Sequence, residues 1–312
     1  MIELKSDFSF NLNSPVAVVC HDAGAANLIF AWLCQWSHLG VLGQHEFRLV
    51  LEGPALLAWH AQALTLPRMQ LHTELNSALA GANCVLTGTG WASDLEHEAR
   101  KLANLQKISC VAVIDHWVNY KQRFERAGEV VLPDTIWVAD PYAADMANAL
   151  FKNAHVIELP NLYLRDMVKA ISSVSSDCCT LLYVLEPIRT DWGRGTPGEF
   201  QALDFFVQHL NLIVGNLPVH VSLRPHPSDA PGKYDSWIKK HNEINIDLNT
   251  QPDLGMAIEH AKWVVGAETF AMVVANAAGR QTYSSLPPWG HRCQLPQSEI
   301  KHLSDLIPKS FF

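Results

Sequence analysis

The fold is decided by a stretch near the start of the chain, Val16-Ala17-Val18-Val19-Cys20-His21-Asp22-Ala23-Gly24-Ala25-Ala26-Asn27. Its first five residues are continuously apolar, which is typical of a strand buried on both faces of a parallel sheet. Two polar residues and a run of small residues follow, and the apolar spacing then becomes helical. A buried strand that runs directly into a helix is the repeating unit of a doubly wound α/β fold. We therefore predict a parallel sheet with helices on both faces.

The same alternation continues through the first half of the chain. Apolar runs predict further strands at residues 47–51, 83–87, 110–114, 135–139 and 155–159. Helical spacing predicts helices over about 55–64 and over 93–104, the second with Ser93 as its cap. The polar, serine-rich residues 168–178 then predict a linker.

The pattern restarts after this linker. The predicted strands are 181–185, 219–223, 244–246 and 263–265. The predicted helices are 199–212, 253–260 and 271–278. We therefore predict two Rossmann-like domains facing across a cleft, an N-terminal domain of residues 1–167 and a C-terminal domain of residues 178–312.

Composition limits the classes of function. The chain has 312 residues, of which 48% are hydrophobic and 17% are charged, so we expect two well-packed domains rather than disorder. The formal net charge of −8 argues against nucleic acid as a partner.

The sequence also predicts where the protein works. Its N-terminus lacks the basic and apolar pattern of a signal peptide, and no apolar run approaches the roughly 18–20 residues of a membrane span. The seven cysteines show neither a CxxC motif nor metal-ligand spacing, which predicts reduced cysteines in a cytoplasmic protein. We predict no metal site and no cofactor; peripheral membrane association and the oligomeric state stay open.

A basic turn ends one strand of the second half, Arg224-Pro225-His226-Pro227. The prolines keep the turn extended and stiff. The planar guanidinium of Arg224 suits a phosphate or a carboxylate, and His226 can donate a hydrogen bond or a proton to a departing phosphate. Ligands bind at the carboxyl ends of the strands in an open parallel sheet, so we interpret this turn as part of a phosphate site. A rigid loop with an exposed histidine is the alternative.

A second turn of the same half, Gly266-Ala267-Glu268-Thr269-Phe270, joins a strand to a helix. Free N–H groups at the helix start can cradle a phosphate, Glu268 can accept ribose hydroxyls, and Thr269 can cap the helix or bind phosphate. Three further candidates for donor binding follow other strands: Arg189, Ser284 and Ser285.

In the first half, the residues after the first strand are the leading candidates. His21 or Asp22 could be a general base, and the small residues from Ala23, including Gly24, would let a ligand approach the backbone. Asp22 as a simple helix cap is an equally good interpretation. The stretch is not the GxGxxG fingerprint, so dinucleotide binding is not predicted.

Another strand of the first half ends in Asp115-His116-Trp117-Val118-Asn119-Tyr120, followed by Arg123 and Phe124. These polar and aromatic side chains predict a surface that binds sugar hydroxyls, with Asp115 and His116 as catalytic candidates and Trp117 and Arg123 as acceptor contacts. Core packing is the preferred interpretation for Trp117 and Phe124. Thr89, in the glycine turn 88–90, is expected to line the same cleft.

On these residues the chain resembles GT-B-type glycosyltransferases, in particular the bacterial group of sialyltransferases, polysialyltransferases and glycerol-phosphate polymerases. The His-Pro motif of that group is matched by His226-Pro227, and its later serine or threonine motif by Thr269 or by Ser284-Ser285. The resemblance implies that His226 contacts the phosphate of a cytidine nucleotide and aids its departure. It also implies an acidic base in the N-terminal domain, a role that Asp22 or Asp115 would fill.

The expected function is transfer of a sugar, without a metal, from a nucleotide-activated donor to a glycan or glycoconjugate acceptor in polysaccharide assembly. The helix start from Gly266 to Glu268 also resembles nucleotide-sugar 2-epimerases that share the GT-B architecture. An epimerase or hydrolase of the same fold is therefore the first alternative. A nucleotide-binding module without catalytic activity is the second.

Overall fold

The structure is a computed structural model that describes residues 12–62, 68–175 and 178–308. The chain divides into two compact units, and the boundary between them lies between Tyr163 and Leu164. This boundary falls a few residues before the predicted linker. Each unit is described below by itself.

Unit 1 alternates strands and helices. Its strands are β1 Val16–Cys20, β2 Phe47–Leu51, β3 Met69–Leu71, β4 Cys84–Thr87, β5 Ser109–Val113, β6 Glu125–Arg126, β7 Glu129–Val130, β8 Thr135–Val138 and β9 His155–Glu158. Its helices are α1 Ala23–His38, α2 Gly53–Gln62, α3 Leu75–Leu79, α4 Leu95–Gln106 and α5 Pro141–Leu150. Helix α6, Leu162–Lys169, crosses the boundary.

The sheet of unit 1 has the strand order β3-β2-β1-β4-β5-β8-β9, and every pair in it is parallel. Strand β1 is buried along its whole length because helices cover both faces of the sheet. One face packs under α1 and α2, with Trp32 and Trp36 in the core, and the other packs under α3 and α4. The chain reverses its winding direction between β1 and β4.

Unit 2 repeats this plan with fewer strands. Its strands are β10 Thr180–Val184, β11 His220–Arg224, β12 Ile246–Leu248, β13 Trp263–Gly266, β14 Gln281–Ser284 and β15 Lys301–His302. Its helices are α7 Gly198–Gln208, α8 Leu210–Val214, α9 Asp235–Lys240, α10 Leu254–Glu259 and α11 Phe270–Ala277. The sheet is parallel throughout, in the order β12-β11-β10-β13-β14-β15, with its winding reversed between β10 and β13.

The prediction of two parallel-sheet α/β domains is confirmed. The helix predicted over 199–212 is instead two helices, because the chain leaves helical geometry at His209, whose ring Nδ1 donates to the carbonyl of Phe205 at 2.9 Å. Part of the predicted linker is helical in α6. Within the residues that the structure describes, no helix is both long enough and apolar enough to span a bilayer.

Candidate functional site

In unit 1, the polar residues singled out by sequence gather at the carboxyl ends of β1, β4 and β5. These three strands are neighbours in the sheet, and the winding reverses between the first two. Ligands of doubly wound sheets bind at such a reversal. The residues that come together here include His21, Asp22, Gly24, Thr89 and Asp115.

Three glycines at these strand ends make room for three carboxylates. A Cβ on Gly24 would overlap the carboxylate of Asp115, and a Cβ on Gly90 would overlap that of Asp22. In the same way, a Cβ on Gly88 would overlap the carboxylate of Glu96. The small residues noted in the sequence therefore accommodate acidic side chains of the unit itself.

Asp22 is not a side-chain cap of α1. It occupies the N-cap position in extended geometry, but its carboxylate accepts no hydrogen bond from the first turn of the helix. Its Oδ1 instead lies 3.0 Å from Nδ1 of His21, and about a third of the Asp22 side chain is exposed. The structure thus removes the capping interpretation and leaves a partly exposed carboxylate beside an imidazole.

Asp115 is held by an ion pair. Nη1 of Arg123 donates to its Oδ1 at 2.7 Å and to Oγ1 of Thr89 at 3.2 Å, while Nε of Arg123 donates to the carbonyl of Val118. Thr89 is fully buried and Arg123 nearly so. The prediction that these two side chains contact an acceptor directly is not supported, because they are enclosed and instead position Asp115.

Trp117 and His116 lie on the same loop. Trp117 is buried and its indole N–H donates to Oδ2 of Asp140 at 2.9 Å. Asp140 in turn caps α5 by accepting from the N–H of Ala143. The structure therefore favours core packing for Trp117, as preferred above, over its predicted contact with an acceptor. The ring of His116 is only partly buried and packs against that of Trp117.

Glu96 is an important residue that sequence reasoning missed. It is 1% exposed, and it accepts from the backbone N–H of His21 at 2.9 Å and from that of Gly90. Burial raises the pKa of this carboxyl above its usual value. Glu96 thus joins the loops that follow β1 and β4.

Arg100 lies beside Glu96 and is also fully buried. Its guanidinium donates to the carbonyls of Gly88, Arg123 and Val131, and burial lowers its pKa to about 10. Through their own hydrogen bonds, Glu96 fixes the backbone next to Asp22, and Arg100 fixes that of Arg123, the partner of Asp115. The sequence predicts only a helix start here, with Ser93 as its cap. An acidic and a basic residue four positions apart in that helix, Glu96 and Arg100, were the signal that could have identified these two residues.

We expect Gly24→Ala to disturb Asp115 specifically. The added methyl overlaps the carboxylate, and overpacking of this kind costs about 1–3 kcal/mol. Removing the carboxylate should relieve the overlap, so the same substitution in an Asp115→Ala background should cost less. Denaturant unfolding of the four proteins in this cycle measures the difference. Equal costs in both backgrounds would show that Asp115 does not occupy this space.

In unit 2, two turns flank the end of the central strand β10. Val184 near that end pairs with Arg224 of β11 on one side and with Gly266 of β13 on the other. The Arg-Pro-His-Pro turn and the Gly-Ala-Glu-Thr turn are therefore separated by a single strand. They lie at strand ends, as the sequence predicts, and the winding of the sheet reverses next to them between β10 and β13.

The ring of His226 is oriented by the turn. Its Nδ1 accepts from the backbone N–H of Ser228 at 3.2 Å and lies 2.7 Å from Oγ of the same residue. An acceptor nitrogen carries no proton, so the neutral ring bears its proton on Nε2. The side chain is exposed, and a neutral His226 therefore offers an N–H donor.

This tautomer is open to measurement. We expect the ¹⁵N shifts of neutral His226 to show the proton on Nε2. In Ser228→Ala the hydroxyl donor is lost while the backbone N–H stays, so the other tautomer should become partly populated. A wild-type ring protonated mainly on Nδ1 would contradict the assignment.

A buried network holds the turn in place. Asp229 accepts from the backbone N–H of His226 at 2.9 Å and pairs with Nζ of Lys233 at 2.7 Å. Lys233 also pairs with Glu199 of α7, and Glu199 accepts from the backbone N–H of Ile188. The loops after β10 and β11 are thus tied to each other through Asp229, Lys233 and Glu199.

Arg224 points elsewhere than predicted. Its Nη1 donates to Oδ1 of Asn249 and to the carbonyl of Gln251, both at 2.9 Å. These partners follow β12, on the side of β11 away from β10. The structure therefore gives Arg224 a bracing role in the sheet and does not support it as the partner of a phosphate beside β10. Arg189 lies exposed on the loop after β10.

The second turn is also well braced. Glu268 accepts from Nε2 of His291 at 2.7 Å and from the backbone N–H of Gln294 at 3.0 Å. Thr269 caps α11, because its Oγ1 accepts from the backbone N–H of Ala271. Capping was one of the two roles predicted for Thr269, the other being phosphate binding. Gly266 is buried, and a Cβ there would lie 2.8 Å from a methyl of Val184, so the glycine allows β13 to pack against β10.

Ser284 and Ser285 are enclosed. Both are fully buried, and their hydroxyls donate to the carbonyls of Ala267 and Gly266 at 2.7 and 3.1 Å. The prediction that they bind a donor phosphate is not supported, because neither hydroxyl is accessible. They hold the Gly-Ala-Glu-Thr turn against the end of β14.

Glu186 is the second residue that sequence reasoning missed as a candidate. It follows β10 directly, between the two turns, and its Oε1 accepts from the backbone N–H of Glu268 at 3.3 Å. Burial, and next the charge of Glu268, raise the pKa of this carboxyl to about 7. The sequence pattern indicated Arg189, three residues later, and not this carboxyl.

The described part of the chain brings no three His, Cys, Asp or Glu side chains together in a group that could hold a metal ion.

Sequence comparison identifies no relative: no family model and no curated protein matches the chain. Comparison with solved structures does find similar folds. A Listeria monocytogenes protein described as a UDP-N-acetylglucosamine 2-epimerase has a TM-score of 0.62 at 10% identity, covering 87% of this chain and 79% of that one.

Two further structures agree with this likeness. Staphylococcus aureus MnaA, solved with UDP, has a TM-score of 0.56 at 10% identity, covering 86% of this chain and 78% of its own. The Methanocaldococcus jannaschii UDP-GlcNAc 2-epimerase, solved with UDP-GlcNAc and UDP, has a TM-score of 0.56 at 9% identity, covering 93% and 89%. At such identities the likeness shows the fold alone, and that fold is GT-B.

Proposed function

We propose that the protein is a cytoplasmic, metal-independent enzyme that transfers a sugar from a nucleotide-activated donor to a hydroxyl of a glycan or glycoconjugate. The observation that carries the proposal is the imidazole of His226, exposed at the end of β11 with its Nδ1 occupied by Ser228. Such a ring is prepared to donate from Nε2 to a phosphate oxygen. The resemblance of His226-Pro227 to the sialyltransferase group supports the same role.

The donor would bind unit 2 at the two turns that flank β10, and the acceptor would bind unit 1 beside Asp22 and Asp115. Asp22 is the better base, because it is the more exposed of the two and its neighbour is an imidazole, whereas Asp115 is paired with Arg123. Asp115 would orient the acceptor hydroxyl.

The proposed reaction gives each of these residues one role. Asp22 takes the proton of the acceptor hydroxyl, and the hydroxyl oxygen attacks the anomeric carbon. The bond from that carbon to the phosphate oxygen breaks, and its electron pair leaves with the nucleotide. The N–H of His226 donates to the phosphate as this charge develops, which lowers the barrier without a metal.

A nucleotide-sugar epimerase or hydrolase is the second candidate. It is supported by the fold, since two of the three similar structures are described as UDP-GlcNAc 2-epimerases. The pair of carboxylates at one sheet edge in unit 1 could also serve as acid and base on a donor sugar alone.

Nucleotide release separates the two candidates. A panel of UDP-, GDP-, CDP- and CMP-sugars is first screened by thermal shift, because a ligand stabilises the folded state in proportion to the logarithm of its concentration over Kd. Each binder is then incubated with and without a mixture of acceptor glycans. Transfer predicts nucleotide release that depends on the acceptor. Release or isomerisation of the sugar without acceptor favours the second candidate, and binding without turnover under either condition indicates an inactive nucleotide-binding module.

A further inference from the structure

Glu186 is placed where a ligand of unit 2 would bind, yet its surroundings disfavour a negative charge. It lies on the loop after β10, between the turn that carries His226 and the turn that carries Glu268. Within the described parts of the chain, no Lys or Arg forms an ion pair with its carboxyl, and Oε2 makes no hydrogen bond to the protein.

The two carboxylates nearest to Glu186 are those of Glu268 and Glu199. Glu268 approaches from the loop after β13; its backbone N–H donates to Glu186, and its own carboxylate accepts from His291. Glu199 of α7 lines the same small recess, although Lys233 neutralises it. Tyr183 of β10 and Cys293 after β14 also sense the charge of Glu186, and both are buried. His226 lies on the turn after the neighbouring strand β11. A carboxylate at position 186 would therefore add charge beside a carboxylate, in a partly desolvated place.

We propose that Glu186 contacts the nucleotide as a neutral carboxylic acid, donating a hydrogen bond to a phosphate oxygen, so that ligand binding takes up a proton. The proposal rests on the proposed function in one respect, that the ligand of unit 2 is a nucleotide. A neutral acid is a donor, whereas the ionised form would repel the phosphate. The residue is then the second donor to the phosphate beside His226.

The first measurement needs no ligand. A carboxyl whose pKa is raised in the folded state does not affect the free energy of unfolding at pH values below its unfolded pKa. As pH rises from the unfolded pKa to the folded pKa, the carboxyl lowers the free energy of unfolding progressively. For Glu186 that window runs from the ordinary value of 4.5 to about 7. The melting temperature of the wild type should therefore fall relative to that of Glu186→Gln as the pH rises from 5 to 8. The exposed Glu299→Gln is the matched control and should show no such change.

The second measurement is calorimetric binding of UDP-GlcNAc and CDP-glucose between pH 5.5 and 8.5. Both are phosphate diesters, so they lack the ionisation near pH 6 that a terminal phosphate has. The wild-type Kd should rise about fivefold between pH 7 and pH 8, as the protonated fraction falls from about one half to about one tenth. Glu186→Gln keeps an N–H donor and should bind with little pH dependence.

The outcomes separate this proposal from the proposed function. If the melting temperatures of wild type and Glu186→Gln change in parallel with pH, Glu186 does not titrate as argued and the proposal fails. If they diverge and no nucleotide sugar of the thermal-shift panel binds at any pH, the contact with phosphate is wrong and the proposed function loses its donor. If a nucleotide binds with the same pH dependence to both proteins, the proposed function stands and this inference is overturned.

Discussion

His226→Ala should lower the rate of nucleotide release by about 10²–10⁴-fold, the usual contribution of one positioned proton or hydrogen-bond donor. The side chain is exposed, and its backbone N–H keeps its bond to Asp229 in the variant, so the fold should tolerate the loss. Because the donor acts mainly on charge that develops as the nucleotide leaves, the Kd for the intact donor should change far less than turnover does.

Two variants sharpen this result. His226→Gln keeps an N–H near the position of Nε2 but cannot become a cation, so it should retain part of the activity. His220→Ala is the matched control, since His220 lies at the other end of the same strand and pairs there with the exposed Asp247. Turnover of His226→Ala within about threefold of the wild type would remove His226 from the mechanism.

Glu96→Ala should destabilise unit 1 by about 2–6 kcal/mol, because two buried backbone N–H groups lose their acceptor. The substitution leaves the N–H groups of His21 and Gly90 without their acceptor and Arg100 without its neighbouring carboxylate. Each unsatisfied buried group costs about 1–3 kcal/mol. We also expect the Asp22 loop to lose its position, and therefore activity to fall together with stability.

Glu96→Gln should lie between the alanine variant and the wild type, because one amide oxygen still accepts one of the two hydrogen bonds. Glu98→Ala, on the exposed side of the same helix turn, should cost less than about 1 kcal/mol. Hydrogen exchange should locate the loss in β1 and β4, a useful readout for a protein of two units. A loss for Glu96→Ala no larger than for Glu98→Ala would contradict the bracing role.

Most of the strands were predictable because a parallel strand that is covered on both faces appears in the sequence as a continuous apolar run. Val16–Cys20 and Trp263–Gly266 are fully buried and were both identified from the sequence. Met69–Leu71 and Lys301–His302 were missed because they are short and mostly exposed strands, with no apolar run to mark them. Their pairing is set by the neighbouring strand rather than by local pattern.

The candidate site was predictable in place and only partly in detail. The rule that ligands meet the carboxyl ends of strands located His226, Asp22 and Asp115 correctly at strand ends. The same rule could not distinguish a side chain that is accessible to a ligand from one that is buried and hydrogen-bonded within the protein. Ser284 and Ser285 are enclosed by backbone carbonyls to which they donate, a relation between residues far apart in sequence.

The most direct test of the central claim is hydrogen exchange of the full chain with and without a saturating nucleotide sugar chosen from the thermal-shift panel. We predict that slowed exchange will map to three segments, residues 185–190, 224–229 and 266–270, which follow three neighbouring strands of unit 2. Slowed exchange confined to unit 1, or to parts of unit 2 away from these strand ends, would contradict the proposed donor site and the mechanism built on it.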